Sequence, residues 1–329
     1  MNKIVVLDGY TANPGDLSWK PFEEFCEITV YDRTPESEIL SRIGDAEIVL
    51  TNKTPFTRRL LENLPNLKYL GAMSTGYNVI DVDAARELGV TVTFVPEYAT
   101  YATAQMTIAL LLELSNQAGR HNRLVHEGGW AKSVDFCFTS GPLTELCQKT
   151  LGLVGYGKIA RRVAVIAQAL GMKVLATSRS IESRLLSGEF SPDISDGDGV
   201  YYASFDTLLQ SSDVISFHCP LTPETRGLAN RQTISRMKDR VFLINTSRGP
   251  VFEENDVAEA LNSGKVAGVA VDVLSAEPPS EDNPLLLAPN CIITPHIAWA
   301  PKETRQRLLD TVYNNLQNFL SGTPKNVVS

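Results

Sequence analysis

Short β-branched runs alternate with helical stretches along almost the whole chain, and they form two series. The first contains Lys3–Leu7, Ile28–Tyr31, Glu47–Thr51, Leu67–Met73 and Val90–Val95, with helices read over Ser37–Arg42 and Asp83–Leu88. The second contains Thr150–Val154, Lys173–Thr177, Asp213–Phe217, Val241–Thr246, Gly268–Val273 and Cys291–Thr294. Strands joined by crossover helices predict parallel sheets covered on both faces. The expected fold class is therefore α/β: two doubly wound parallel-sheet domains, Rossmann-like and flavodoxin-like, with a cleft between them. Tyr101–Arg120 is apolar-periodic and nearly free of breakers, and reads as a linker helix between domains. A last helix, Lys302–Phe319, follows Pro295 and Pro301 and is expected to return to the first domain. The boundaries read as 1–98 plus 299–329 for a discontinuous first domain and 99–298 for the second. A length of 329 residues suits two domains.

Composition narrows the partners. Thirty basic against 38 acidic residues give a net charge of −8, which argues against nucleic acid as the main partner. A small anionic ligand in a local pocket stays possible. The opening MNKIVVLDGY does not have the shape of a signal peptide. The longest apolar run, Ile108–Leu112, falls far short of the ~20 residues of a membrane span. Five scattered cysteines without a CxxC read as buried free thiols. A cytoplasmic protein with no membrane partner is expected. Ser187–Gly199 (SGEFSPDISDGDG) reads as an exposed acidic loop. The spacing of Asp193, Asp196 and Asp198 does not match a calcium loop, so no metal is expected.

The segment TLGLVGYGKIARRVA carries the sharpest local signal. A strand ends at Gly155-x-Gly157-x-x-Ala160 and a helix begins there. Gly155 permits the tight turn, Gly157 clears the approach of a pyrophosphate, and Ala160 lets helix and strand pack closely. The amides of Lys158 and Ile159 would face the pyrophosphate at the positive helix end. About 20 residues on, where an acid would hold the ribose hydroxyls of NAD, the chain has Ser178 followed by Arg179. A hydroxyl plus a guanidinium suits a 2′-phosphate, so the cofactor is read as NAD(P)H, leaning to NADP(H). The alternative is a solvated Arg179 and NAD held by fewer contacts.

Three polar residues follow strands of the second series: Arg248 in INTSRGPV, Glu277 in VAVDVLSAEPP and His296 in IITPHIAWA. Reducing a carbonyl leaves an alkoxide that needs a proton, and histidine supplies one near neutral pH. A carboxylate beside it would fix the ring tautomer and balance its charge. Arginine can grip a carboxylate and polarise the adjacent carbonyl. Together the three suit reduction of a 2-oxo acid. Alone, each could be a cap, a loop charge or a turn residue. His218 ends a strand and is the rival acid, while His121 and His126 read as exposed.

At these residues the sequence resembles the D-isomer-specific 2-hydroxyacid dehydrogenase family. The likeness is carried by LGLVGYGKIA, SSDVISFHCPLTPETRGLAN and MKDRVFLINTSRGPV, and by the surroundings of Glu277 and His296. LDGYTANPGDLSW and TPHIAWA are similar to the glycerate dehydrogenase, or hydroxypyruvate reductase, branch. The resemblance implies a substrate-binding first domain and a dinucleotide-binding second one. It implies Arg248 as substrate anchor, His296 as acid/base and Glu277 as its partner. It also implies that MSTGYN, with Ser74, Thr75 and Gly76, offers backbone amides to the substrate carboxylate, as an anion nest can. Thr75, Thr103, Cys219, Pro220, Thr246 and Asp272 would lie on the cofactor side. Lys53 in TNKTP could reach the distal end of the substrate, or be an exposed loop lysine. A homodimer is implied, with an arm at Gly119–Phe138 that exposes Trp130.

The chain departs from the family pattern at Ala160, at Ser178, at Gln105 (where Glu is common) and at Ala298-Trp299. Trp299 would narrow the pocket and favour a small substrate. The leading expectation is reversible hydride transfer between NAD(P)H and a small 2-oxo acid, with hydroxypyruvate and D-glycerate as the pair. The alternatives are a reductase of glyoxylate or another 2-oxo acid, and a non-catalytic dinucleotide-sensing protein.

Overall fold

The first series of runs forms a five-stranded parallel sheet in the computed structural model, which describes residues 3–188 and 197–329. Its strands are β1 (Lys3–Val6), β2 (Glu27–Val30), β3 (Ile48–Thr51), β4 (Tyr69–Ala72) and β5 (Thr91–Thr93), in the order β2-β1-β3-β4-β5. This is the flavodoxin-like order. Helices α1 (Ile39–Ile43), α2 (Arg58–Glu62) and α3 (Val82–Glu87) make the crossovers. α2 is absent from the sequence reading. The chain divides into two compact units, Met1–Ala99 with Trp299–Ser329, and Thr100–Ala298.

The second unit opens with α4 (Thr100–Asn116) and α5 (Ala118–His126). The single helix expected over Tyr101–Arg120 is therefore two. Gln117 sits at φ +51°, which ends the first helix, and the Glu113 carboxylate accepts the Gly119 amide at the start of the next. Nor is α4 a bare linker. It belongs to the second unit and buries Ala104, Ile108, Leu111 and Leu114 against its core.

There follow β6 (Thr150–Val154), α6 (Lys158–Ala169), β7 (Lys173–Thr177), α7 (Arg179–Leu186), β8 (Val200–Tyr202) and α8 (Phe205–Ser211). Then come β9 (Val214–Phe217), α9 (Arg231–Arg236), β10 (Val241–Asn245), α10 (Glu254–Asn262), β11 (Val266–Val271), α11 (Pro284–Leu287) and β12 (Cys291–Ile293). All pair in parallel in the order β12-β11-β10-β9-β6-β7-β8. Read from β8, this is the Rossmann order with one added edge strand. β8 and helices α7 to α11 are also absent from the sequence reading.

The last helix, α12 (Lys302–Leu320), belongs to the first unit. Leu308, Val312 and Leu316, spaced every four residues, are buried with Ile4, Val6 and Leu50. Each such side chain contributes roughly 1.5–3 kcal/mol of burial. The chain end then pairs with β5: the Val328 amide donates to the Val92 carbonyl at 2.9 Å. That covers an edge otherwise open to association.

One expectation needs correction here, and one falls on residues that are not described. Cys137 and Cys147 are exposed rather than buried thiols. Most of the acidic loop, with Asp193 and Asp196, lies outside the described residues. Asp198 accepts a hydrogen bond from the Tyr156 hydroxyl at 3.0 Å. Among the described residues no group of His, Cys, Asp and Glu could hold a metal ion, and no helix is long and apolar enough to cross a membrane.

Candidate active site

Arg248, Glu277 and His296 follow β10, β11 and β12, three adjacent parallel strands, so the topology gathers them at one edge of the sheet. Asn245, fully buried at the end of β10, closes the Arg248 turn. Its Nδ2 donates to the Arg248 carbonyl at 2.9 Å, and its Oδ1 accepts from the Ser247 amide at 3.0 Å and hydroxyl at 2.8 Å. The Arg248 guanidinium stays exposed and donates to the Ser247 carbonyl at 2.8 Å. Gly249 then lies hard against the loop after β11: a Cβ there would stand 1.9 Å from the Leu274 carbonyl carbon.

That loop carries Glu277. Its Oε1 accepts from the Leu274 amide at 3.1 Å, and its Oε2 accepts from His296 Nδ1 at 2.6 Å. With the Nδ1 proton held by the carboxylate, Nε2 is the nitrogen left to exchange a proton. His296 has φ +54°, a conformation rare outside glycine and held here by its surroundings. Asp272, buried just after β11, supplies the restraint. It accepts from the Thr294 hydroxyl at 2.6 Å and from the Ile297 and Ala298 amides at 2.9 Å each. Burial pushes the Asp272 carboxyl above its ordinary pKa, against the pull of these bonds. In the fold the Asp272 carboxylate ties down the His296 turn.

The rival histidine is disarmed. His218 Nε2 lies 2.9 Å from the Ser216 hydroxyl, and burial pushes its pKa down to about 4. It is neutral near pH 7 and lacks the acidic imidazolium proton that a general acid donates. His121 was expected to be exposed. It is half-buried instead, with Nδ1 on the Gln117 carbonyl at 2.8 Å and Nε2 accepting the Ser140 amide at 3.1 Å.

The glycine turn sits after β6, where the strand order reverses. Gly155 has φ +90°, and a Cβ would come within 2.7 Å of the Cys219 amide nitrogen. Gly157 differs: a Cβ there would meet nothing within 4 Å, and no side chain caps α6. Ala160 is fully buried. Lys158 and Ile159 begin a helix with no side-chain cap and room beside Gly157, which fits a dinucleotide pyrophosphate. Ser178 caps α7, accepting the Ile181 amide at 3.2 Å, while Arg179 is exposed. Cys219 is buried, its thiol pushed up to about 11 by that burial, and Pro220 is exposed. Thr246 meets Thr107 through their hydroxyls at 2.9 Å, and Thr107 donates to the carbonyl of the buried Thr103 at 2.8 Å.

In the first unit, Ser74–Gly76 follow β4. Ser74 donates to the Gly76 carbonyl at 2.6 Å, and Thr75 to the Val95 carbonyl at 2.7 Å. The Thr75 and Gly76 amides meet no acceptor among the described residues, as an anion nest requires. Lys53 is exposed on the loop after β3. The carboxylate of Asp8 gathers that loop, accepting from the amides of Asn52 at 2.8 Å, Lys53 at 2.6 Å and Thr54 at 3.0 Å. Trp299 packs edge-on against Tyr98, ring centroids 6.5 Å apart.

Residues 108–298 match the model of the D-isomer specific 2-hydroxyacid dehydrogenase, NAD binding domain. The chain belongs to this family. The dehydrogenase is thus an oxidoreductase that uses a nicotinamide dinucleotide. It is 52% identical over 330 residues to a hydroxypyruvate reductase from Blautia hydrogenotrophica, covering 99% of each chain. It is 37% identical to a glycerate dehydrogenase from Methylorubrum extorquens, covering 99% of this chain and 98% of that one. Among solved structures it resembles an acyclic imino acid reductase in complex with NADPH and D-arginine, at 27% identity and a TM-score of 0.83, covering 99% and 100% of the chains.

Sequence reasoning missed three residues of the dehydrogenase that build its sites without resembling catalytic groups. Asn245 shapes the Arg248 turn, Gly249 sets it against the Glu277 loop, and Asp8 gathers the Lys53 loop. The motif INTSRG contained the first two, but only as turn residues.

Proposed function

We propose that the dehydrogenase reversibly interconverts hydroxypyruvate and D-glycerate, with NADP(H) preferred over NAD(H). The reading is carried by the 2.6 Å bond between His296 Nδ1 and Glu277 Oε2 at the same sheet edge as Arg248. Support for the substrate comes from the hydroxypyruvate reductase and glycerate dehydrogenase relatives.

In this proposal Arg248 grips the substrate carboxylate and polarises the C2 oxygen. His296 gives its Nε2 proton to that oxygen in reduction and takes it back in oxidation, with Glu277 balancing the imidazolium. Gly155, Gly157, Lys158 and Ile159 hold the pyrophosphate. Thr75, Thr103, Cys219, Pro220, Thr246 and Asp272 serve the cofactor side, and Ser178 and Arg179 receive a 2′-phosphate. The bound nicotinamide supplies the hydride to C2. In the first unit, Ser74, Thr75 and Gly76 receive the carboxylate, Lys53 meets the hydroxymethyl end, and Trp299 favours a short substrate. The dehydrogenase acts as a cytosolic homodimer, a reading supported by the exposed thiols Cys137 and Cys147 and by Trp130, Val134 and Phe136 exposed along the arm.

The test is loss of reduced-nicotinamide absorbance on adding hydroxypyruvate, with NADPH and NADH in parallel. Rapid loss, faster with NADPH, is expected. Turnover of glyoxylate or a bulkier 2-oxo acid alone would remove the substrate assignment, and cofactor binding without any turnover would turn the reading into a sensor.

A further inference from the structure

We infer that Arg305 is a positioning residue for substrate selection: it fixes the two segments of the first unit that the proposed function sets around the distal end of the 2-oxo acid. The inference rests on that reading, in which Lys53 meets the hydroxymethyl group and Trp299 favours a short substrate.

Arg305 lies in the first turn of α12 and is buried. Its guanidinium ties together two stretches of chain. Nε donates to the Ala300 carbonyl at 2.8 Å, next to Trp299. Nη1 and Nη2 donate to the two carboxylate oxygens of Asp16 at 2.7 and 2.8 Å, and Nη1 also donates to the Ala12 carbonyl at 3.3 Å. Ala12 and Asp16 belong to the loop after β1. One side chain therefore joins LDGYTANPGDLSW to the end of TPHIAWA, although Asp16 and Arg305 are 289 residues apart.

From this loop the tie continues to Lys53. The buried Asn13 folds the loop on itself, its Oδ1 accepting the Gly15 and Leu17 amides at 3.1 and 3.0 Å. Thr11 Oγ1 accepts from Nδ2 of the buried Asn52 at 3.2 Å, and the Asn52 and Lys53 amides share the Asp8 carboxylate. On the other side, Trp299 rests on Tyr98, and both pack with Leu17 and Trp19 against the core beneath α12.

Stability alone does not account for a charged pair here. Desolvation offsets much of the attraction in a buried ion pair, and an apolar side chain of similar volume often serves as well. What the planar fork adds is direction, because it meets a carboxylate at two points and fixes the orientation of both partners. Arg305 acts through Ala300 and the Asp16 loop. Its loss should register in which acid is chosen rather than in the chemistry at Arg248 and His296.

The experiment compares kcat/KM for hydroxypyruvate and glyoxylate, at saturating reduced cofactor, in the unmodified chain, Arg305→Met, Arg305→Lys and Asp16→Asn. Glyoxylate lacks the hydroxymethyl group, so it reports hydride and proton transfer without the distal contacts. Arg305→Met should lower the hydroxypyruvate-to-glyoxylate ratio by about tenfold, through KM for hydroxypyruvate, as misplaced substrate contacts do. Arg305→Lys should recover part of the ratio. Asp16→Asn changes the exposed partner and should shift the ratio in the same direction without unfolding the chain. A general loss of folded protein lowers both substrates by one factor. An unchanged ratio in Arg305→Met, or in Asp16→Asn where Arg305→Met does not fold, overturns the inference and leaves the hydroxypyruvate reading intact. An unmodified chain without preference for hydroxypyruvate removes that reading, and the inference with it.

Discussion

His296 and Glu277 meet at 2.6 Å although 19 residues separate them, because each ends a loop leaving an adjacent strand. The carboxylate holds one ring nitrogen and leaves the other for proton exchange. His296→Ala should lower turnover with hydroxypyruvate by about 10²-fold or more, the scale of lost acid–base catalysis. Glu277→Gln should lower it less, since an amide oxygen can still orient the ring. Steady-state turnover near that of the unmodified protein in His296→Ala would remove the assignment.

Gly249 separates packing from chemistry. A Cβ at 1.9 Å from Leu274 backbone cannot be relieved by rotating a side chain. Gly249→Ala should therefore push the Arg248 turn away from the Glu277 loop, at a cost of about 2–4 kcal/mol. A lowered melting temperature with severe loss of turnover is expected; an unchanged melting curve would show that the two loops are not in contact.

Arg179 is exposed and Ser178 is partly spent as a helix cap. If the guanidinium receives a 2′-phosphate, Arg179→Ala should raise KM for NADPH by about tenfold or more and leave NADH nearly untouched. Ser178→Asp should reverse the preference by repelling the phosphate. Equal losses for both cofactors in Arg179→Ala would refute the role.

Asp8 makes three hydrogen bonds to consecutive amides of the Lys53 loop. Asp8→Ala leaves those donors without their acceptor, at about 1–3 kcal/mol. Stability should fall by that amount in urea denaturation. Because Lys53 rides on the same loop, KM for hydroxypyruvate should rise more than kcat falls. An effect on kcat alone would count against Lys53 as a substrate contact.

Acid should destabilise the fold through His218. Its folded pKa of about 4 lies below the ordinary 6.5, so between these values the unfolded chain binds a proton that the folded chain refuses. Stability is therefore unaffected above pH 6.5 and falls as the pH drops toward 4. The residue keeps some exposure, which limits the loss to roughly 1–3 kcal/mol. Denaturation midpoints across this window should flatten in His218→Asn, and an identical acid limb in that variant would exonerate the residue.

Among the described residues, sequence by itself determined every strand but β8, and the glycine turn. β6 and β7 were read to the residue, since runs buried on both faces are continuously apolar. It also supplied Arg248, Glu277 and His296 as candidates, because each follows such a run. It did not reveal β8, α2 or α7 to α11. Nor did it reveal the break at Gln117, where a backbone φ of +51° leaves no mark on the apolar pattern. Tertiary structure decided how the site is held. Asp8 reaches amides 44 to 46 residues away, Asp272 reaches the Ile297 and Ala298 amides 25 and 26 residues away, and Gly249 meets Leu274. It also decided between the two histidines, burying His218 and joining His296 to a carboxylate. Such pairings depend on which strands become neighbours. A linear pattern marks a residue as polar or small, but only the packed sheet decides what it faces.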